Sequence, residues 1–131
     1  MNLEEQFSNI DTVIAAMRKA AVNLVPPPPM LPSVWAEKNV RIPIGNAIPG
    51  PISFDNAPMQ RGILDAIKEP GIRRMDLMLG AQLGKTTVLQ CITGYYIEHE
   101  PRSQIMAQPS EGDMLTFQET KLKPMLEATL S

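Results

Sequence analysis

Four consecutive prolines, Pro26-Pro27-Pro28-Pro29, constrain this chain more than any other feature. Proline fixes φ and lacks an N–H, so neither a helix nor a central strand can run through the tract. Such a run favours polyproline II, a semi-rigid spacer. No basic residue flanks it closely, as an SH3-type ligand would need. The chain carries 13 prolines in 131 residues, against an ordinary usage of about 5%. Most of them lie between Pro26 and Pro58, which makes the middle stiff and irregular. The expected organisation is an N-terminal helix over 1–25, a Pro-rich linker and extended segment over 26–57, and the front of a folded domain over 58–131.

Residues 2–24 read as an amphipathic helix. Leu3, Phe7, Ile10, Ile14, Met17, Ala21 and Leu24 recur at spacings of four and three, which gathers them into one stripe. Asn2 and Glu5 form a capping-box pattern at its start. Two readings stay open: a helix packed on its own domain, slightly favoured, or a helix that docks on a partner.

Beyond the tract, a short helix is expected over 33–39, with Ser33 as N-cap and Trp35 as apolar anchor. Residues 41–58 hold four prolines and no sustained period, and read as a loop. A helix follows over 58–68. Residues 73–79, Arg-Arg-Met-Asp-Leu-Met-Leu, read as a strand, and a helix is expected over 85–98, with Val88, Leu89, Ile92, Tyr95 and Tyr96 on its buried side. Residues 103–107 read as a second strand. A last helix runs over 110–130 with Pro124 as a kink, its apolar positions being Met114, Phe117, Leu122, Met125 and Leu126. Met75, Met78 and Met106 lie in the strands as core, and Cys91 reads as a small buried hydrophobe. Strand, loop, helix, strand, helix is the order of a βαβ unit. The expected fold class is α/β: an incomplete P-loop NTPase with parallel strands, preceded by an amphipathic helix and a Pro-rich linker.

The loop between the first strand and its helix carries the chemistry. It reads Gly80-Ala81-Gln82-Leu83-Gly84-Lys85-Thr86-Thr87. The phosphate-loop pattern is G-x-x-x-x-G-K-[ST] between a strand and a helix. Gly84, Lys85 and Thr86 match. The first glycine does not, because Leu79 stands at that position and Gly80 comes one residue late. A glycine turn lets successive N–H groups face one concavity, and the helix start adds partial positive charge. Lys85 is the catalytic candidate, supplying an ammonium for the β- and γ-phosphates of ATP. Thr86 offers a hydroxyl to Mg²⁺. The competing reading is a plain glycine turn with an exposed lysine, and the flanking elements weigh against it. The phosphate-loop reading, and any motor assignment built on it, requires a parallel strand before Lys85 and a helix after it. Upstream, Gln60 is either a solvated helix residue or a reader of the adenine edge, since its amide both donates and accepts.

Composition limits the alternatives. There are 12 basic and 14 acidic side chains, for a net charge of −2. A protein held to nucleic acid mainly by charge would usually be basic. One cysteine and one histidine argue against a disulfide framework, a multi-Cys zinc site and a His-rich metal site. No apolar run reaches the roughly 20 residues of a membrane span, and the first residues lack a signal-peptide core. The expected compartment is the cytoplasm.

The chain resembles the N-terminal part of the large subunit of tailed-phage DNA-packaging terminases, in the lambda-type branch. The segments that carry the likeness are Val34-Trp35-Ala36-Glu37, Pro58-Met59-Gln60-Arg61, the loop through Thr86, Tyr95-Tyr96-Ile97-Glu98-His99 and Gln108-Pro109-Ser110-Glu111-Gly112-Asp113, with Phe117 and Leu122-Lys123-Pro124-Met125. They run collinearly over about 33–131. The resemblance implies an ATP-driven motor acting on double-stranded DNA, working as an oligomer with a small subunit and a portal on the procapsid. It also implies a nuclease elsewhere in the full-length family, and it favours the partner reading of residues 2–24. Related terminases carry Arg where this chain has Ala81. No acidic pair after an apolar strand is present to orient the attacking water. The expectation is therefore a fragment without turnover of its own, marginally stable or self-associating, since two parallel strands alone make a poor sheet. Other readings are a piece of a helicase-like P-loop ATPase and a non-enzymatic truncated product that only binds a partner.

Overall fold

The computed structural model describes residues 3–46 and 48–130. Helix α1 spans Leu3–Val22, and the proline tract follows with no regular hydrogen bonding. Asn2 of the expected capping box lies outside the described residues, as do the side chains of Leu3, Glu5 and Phe7. The rest of the stripe faces solvent: Ile10, Ile14 and Met17 are all exposed. The slightly favoured expectation that this helix packs on its own domain is thus not met among the described residues.

Helix α2 spans Pro32–Asn39. Its N-cap is Leu31, not Ser33, because Pro32 takes the first helical position, where a missing N–H costs nothing. Ser33 sits inside the first turn instead. Its backbone N–H and Oγ donate to the two carboxylate oxygens of Asp65, at 2.9 and 2.8 Å. A carboxylate there satisfies a free amide and favours the positive end of the helix dipole.

The segment expected as loop contains a two-residue antiparallel ladder, β1 (Arg41–Ile42) with β2 (Gly50–Pro51), paired Arg41 to Pro51 and Ile42 to Gly50. Helix α3 follows at Pro58–Ala66, again opening on a proline. Helix α4 occupies Lys85–Glu98, the predicted bounds. Helix α5 (Glu111–Phe117) starts from Ser110, whose Oγ accepts from the Asp113 N–H. It runs through a π turn at Gln118–Leu122 into α6 (Lys123–Leu130). The π turn ends at Leu122, two residues before Pro124. Proline cannot continue an α ladder, and one wide turn absorbs the mismatch.

The parallel βαβ pairing is not formed. Residues 73–79 and 103–107 carry no ladder, and the only sheet among the described residues is the β1–β2 pair. The first segment keeps the alternation of a strand: Met75, Leu77 and Leu79 are half-buried, while Asp76 and Met78 are exposed. Only one of its sides meets the core. Parallel strands are stable when neighbours flank them and both faces are covered. Met78, expected in the core, is therefore 95% exposed, and Ile105 is 98% exposed.

The core forms where α2, α3 and α4 meet. Trp35, Leu64, Phe54, Val88, Cys91 and Tyr95 are buried together with Met125 from α6. Trp35 meets Tyr95 edge-on at 5.9 Å and lies over Gly94. A Cβ at Gly94 would stand 2.8 Å from Trp35 Cη2, so the glycine allows the indole its approach. On α4 the buried face is Val88, Cys91, Gly94 and Tyr95, while Leu89, expected inside, is exposed. Burial pushes the Cys91 thiol up to about 12, as befits an inert core residue.

An ion network closes the far end of α4. Glu100 pairs with Lys68 and with Arg102, the latter at 2.6 Å. The hydrogen bond from Lys68 is the main cause that holds the Glu100 carboxyl below its usual range, and the same bond raises Lys68. A lowered carboxyl stabilises the fold above its unfolded value, about 4.3. That contribution is lost as pH falls through the folded value. For Lys68 the contribution is present below about 10.4 and lost as pH rises through the folded value. Lys68→Met should shift the Glu100 titration upward toward the unfolded value, read by carboxyl ¹³C NMR. An unmoved titration would show the pair to be uncoupled.

Candidate functional site

The loop before α4 turns where glycine and its neighbours allow it. Gly84, the N-cap of α4, has φ 81°, and Gln82 has φ 60°. Two left-handed residues thus bracket Leu83. No side chain caps the start of α4. Its first-turn amides, on Lys85, Thr86 and Thr87, have no intrahelical acceptor. The first ladder bond runs from the Val88 N–H to the Gly84 carbonyl at 2.9 Å.

Lys85 is exposed, and its ammonium folds back to donate to the Leu79 carbonyl at 2.9 Å. Gln60 reaches the same loop from α3. Its Nε2 donates to the Leu83 carbonyl at 3.1 Å. The structure therefore brings Gln60, Leu83, Gly84 and Lys85 together, although Gln60 and Leu83 are 23 residues apart. Gly80, Ala81, Gln82 and Leu83 complete an exposed loop, and Thr86 and Thr87 open the helix. Of the strand-and-helix context that the phosphate-loop reading required, only the helix is formed.

Two hollows flank the loop. One, of about 420 Å³, is lined by Asn56, Ala57, Pro58, Met59, Gln60, Gln82 and Leu83. The other, about 170 Å³, lies past the helix start and includes Thr86, Thr87, Gln90 and Lys121. Gln90 donates to the Lys121 carbonyl at 2.7 Å, tying α4 to the π turn.

Sequence reasoning missed the scaffold that holds Gln60. Arg61, the next residue, pairs with Glu37 on α2 at 2.7 Å. Glu37 also accepts from the Phe54 N–H at 3.1 Å. With the Asp65–Ser33 contacts, these bonds fix α3 against α2. A signal was available, because Glu37 and Arg61 close two of the segments that carried the family likeness.

Comparison with known proteins agrees with this frame. Residues 46–131 match the family described as phage terminase large subunit gpA, ATPase domain. The chain is 26% identical over 119 residues to the terminase large subunit of Escherichia phage lambda, covering 91% of this chain and 18% of that protein. It is 26% identical over 111 residues to the terminase large subunit of Enterobacteria phage P21, covering 85% of this chain and 17% of that protein. The chain thus spans under a fifth of the length of these relatives. No solved structure matches it. The family match selects the terminase reading over the helicase-like one, and it does not depend on the unformed parallel pair. With a match over residues 46–131 of 131, the chain belongs to the ATPase-domain family of phage terminase large subunits.

Proposed function

We propose that this chain is the nucleotide-binding front of a DNA-packaging motor, with residues 80–87 as its ATP phosphate loop. The observation that carries the proposal is the uncapped start of α4 behind a doubly left-handed turn, with Lys85 beside it. Uncapped amides and a helix N-terminus are a ready receptor for phosphate oxygens. Lys85 would leave the Leu79 carbonyl for the β- and γ-phosphates. The Thr86 hydroxyl would hold Mg²⁺, which neutralises phosphate charge when bound. The hollow of about 420 Å³ beside Gln60 would take the adenine, whose edge Gln60 would read with its remaining N–H and its carbonyl.

In a protein of the relatives' length, residues 73–79 and 103–107 would become strands of a parallel P-loop sheet over 58–131. Residues 1–25 would serve as the arm that engages a small subunit, with the proline tract as its linker; the rest of the expected 26–57 linker is instead part of the folded unit, since Trp35, Val40, Ile52 and Phe54 are buried in the core. The exposed stripe of α1 supports that role. The working motor would move double-stranded DNA through a portal into a procapsid, as an oligomer. No described helix is long and apolar enough to cross a membrane.

Titration with Mg·ATP, followed by backbone amide NMR, tests the proposal. The resonances of residues 80–87 should move and saturate. If they stay put while α1 still binds a partner, the chain is a partner-binding module and not a nucleotide site.

A further inference from the structure

We propose that Gln60 is a positioning residue for the phosphate loop, holding the Leu83 carbonyl so that the turn at Gly84 keeps its shape when Lys85 lets go. This deepens the nucleotide reading above and rests on it.

The loop is costly to hold. A non-glycine residue in left-handed conformation, here Gln82 at φ 60°, is disfavoured by about 1–2 kcal/mol. Leu83 stands between it and Gly84, itself left-handed. Two side-chain bonds reach carbonyls of this stretch among the described residues: Lys85 to Leu79, and Gln60 to Leu83. The first is the one a triphosphate removes, because the ammonium must turn to the phosphates. The second then remains. Its anchor is rigid, since α3 is tied to α2 through Arg61–Glu37 and Asp65–Ser33. The fit is also close. A Cβ on Gly84 would lie 2.1 Å from Gln60 Nε2, so glycine is needed there for the amide's approach as well as for φ. An amide has two N–H groups. One on Leu83 leaves the other, and the oxygen, for a base.

Inorganic tripolyphosphate, which has no base, separates positioning from base reading. The variants are Gln60→Ala and Gln60→Met, which is of similar length, uncharged and without an N–H to donate, and keeps the test open if the alanine variant unfolds. In the nucleotide-free protein, either should shift the Leu83 carbonyl ¹³C signal upfield. Each should also weaken Mg·tripolyphosphate by about fivefold, the worth of one neutral hydrogen bond, and Mg·ATP by at least as much. ATP weakened with tripolyphosphate unchanged would overturn the proposal and leave Gln60 a base reader. An unmoved Leu83 signal in a protein that binds ATP would overturn it alone. A wild type that binds neither ligand would remove the nucleotide reading, and the positioning role with it.

Discussion

Lys85→Ala should lower the affinity for Mg·ATP by about 100-fold while leaving the fold intact. A lysine that reaches two phosphate oxygens makes charge-assisted bonds of about 1.5–3 kcal/mol each, and about 1.4 kcal/mol is tenfold. Even the lower figures together give the predicted loss. The fold should not notice, because Lys85 is exposed and its hydrogen bond is to the Leu79 carbonyl. Its melting should stay within about 0.5 kcal/mol of the parent, as for a surface change. Lys85→Arg is not expected to restore binding, since a planar fork does not replace a compact ammonium in a tight loop. Calorimetric titration decides it. Equal affinity in parent and alanine variant would show that ATP, if bound, sits somewhere other than this loop.

The largest stability effect should come from Trp35→Ala. The indole is 2% exposed, packs edge-on against Tyr95 and covers Gly94. Truncating a buried Trp or Phe to alanine costs about 3–5 kcal/mol. Native domains hold only about 5–15 kcal/mol in all. Trp35→Ala should therefore bring the chain close to unfolding at room temperature, read by urea denaturation with far-UV circular dichroism. Gly94→Ala should act on the same contact from the other side, through a clash with Trp35 costing about 1–3 kcal/mol. A loss under about 1 kcal/mol for Trp35→Ala would mean that the α2–α4 contact is not what organises the core.

The helices were legible because their boundary signals are local. Pro58 opens α3, the glycine turn opens α4, and apolar spacing marks the faces of both. Trp35 was legible as an anchor for the same reason. Ser33 was misplaced as a cap because Pro32, one residue earlier, also suits a helix start, and the choice between them depends on Asp65, 32 residues away. The strands failed differently. Residues 73–79 have the right pattern and keep its alternation of exposure, yet a strand is defined by a neighbour, which no local pattern supplies. The β1–β2 ladder was hidden because Gly50 and Pro51 are residues that ordinarily argue against a strand. At the site, the loop residues were readable from Gly84-Lys85-Thr86. The contact from Gln60 to Leu83 was not, because it depends on how α3 is braced by Glu37.

Tyr95 links the two ends of this architecture. Its hydroxyl donates to the Met30 carbonyl at 3.0 Å, just past the last of the four prolines. Tyr95 lies on α4 about 15 Å beyond Lys85, at about 1.5 Å of rise per residue. The leash that carries α1 is thus knotted onto the same rod that begins at the phosphate loop. Were α1 to take a partner and the loop a triphosphate, as proposed, tension on the one and grip on the other would bear on a single lever at Tyr95.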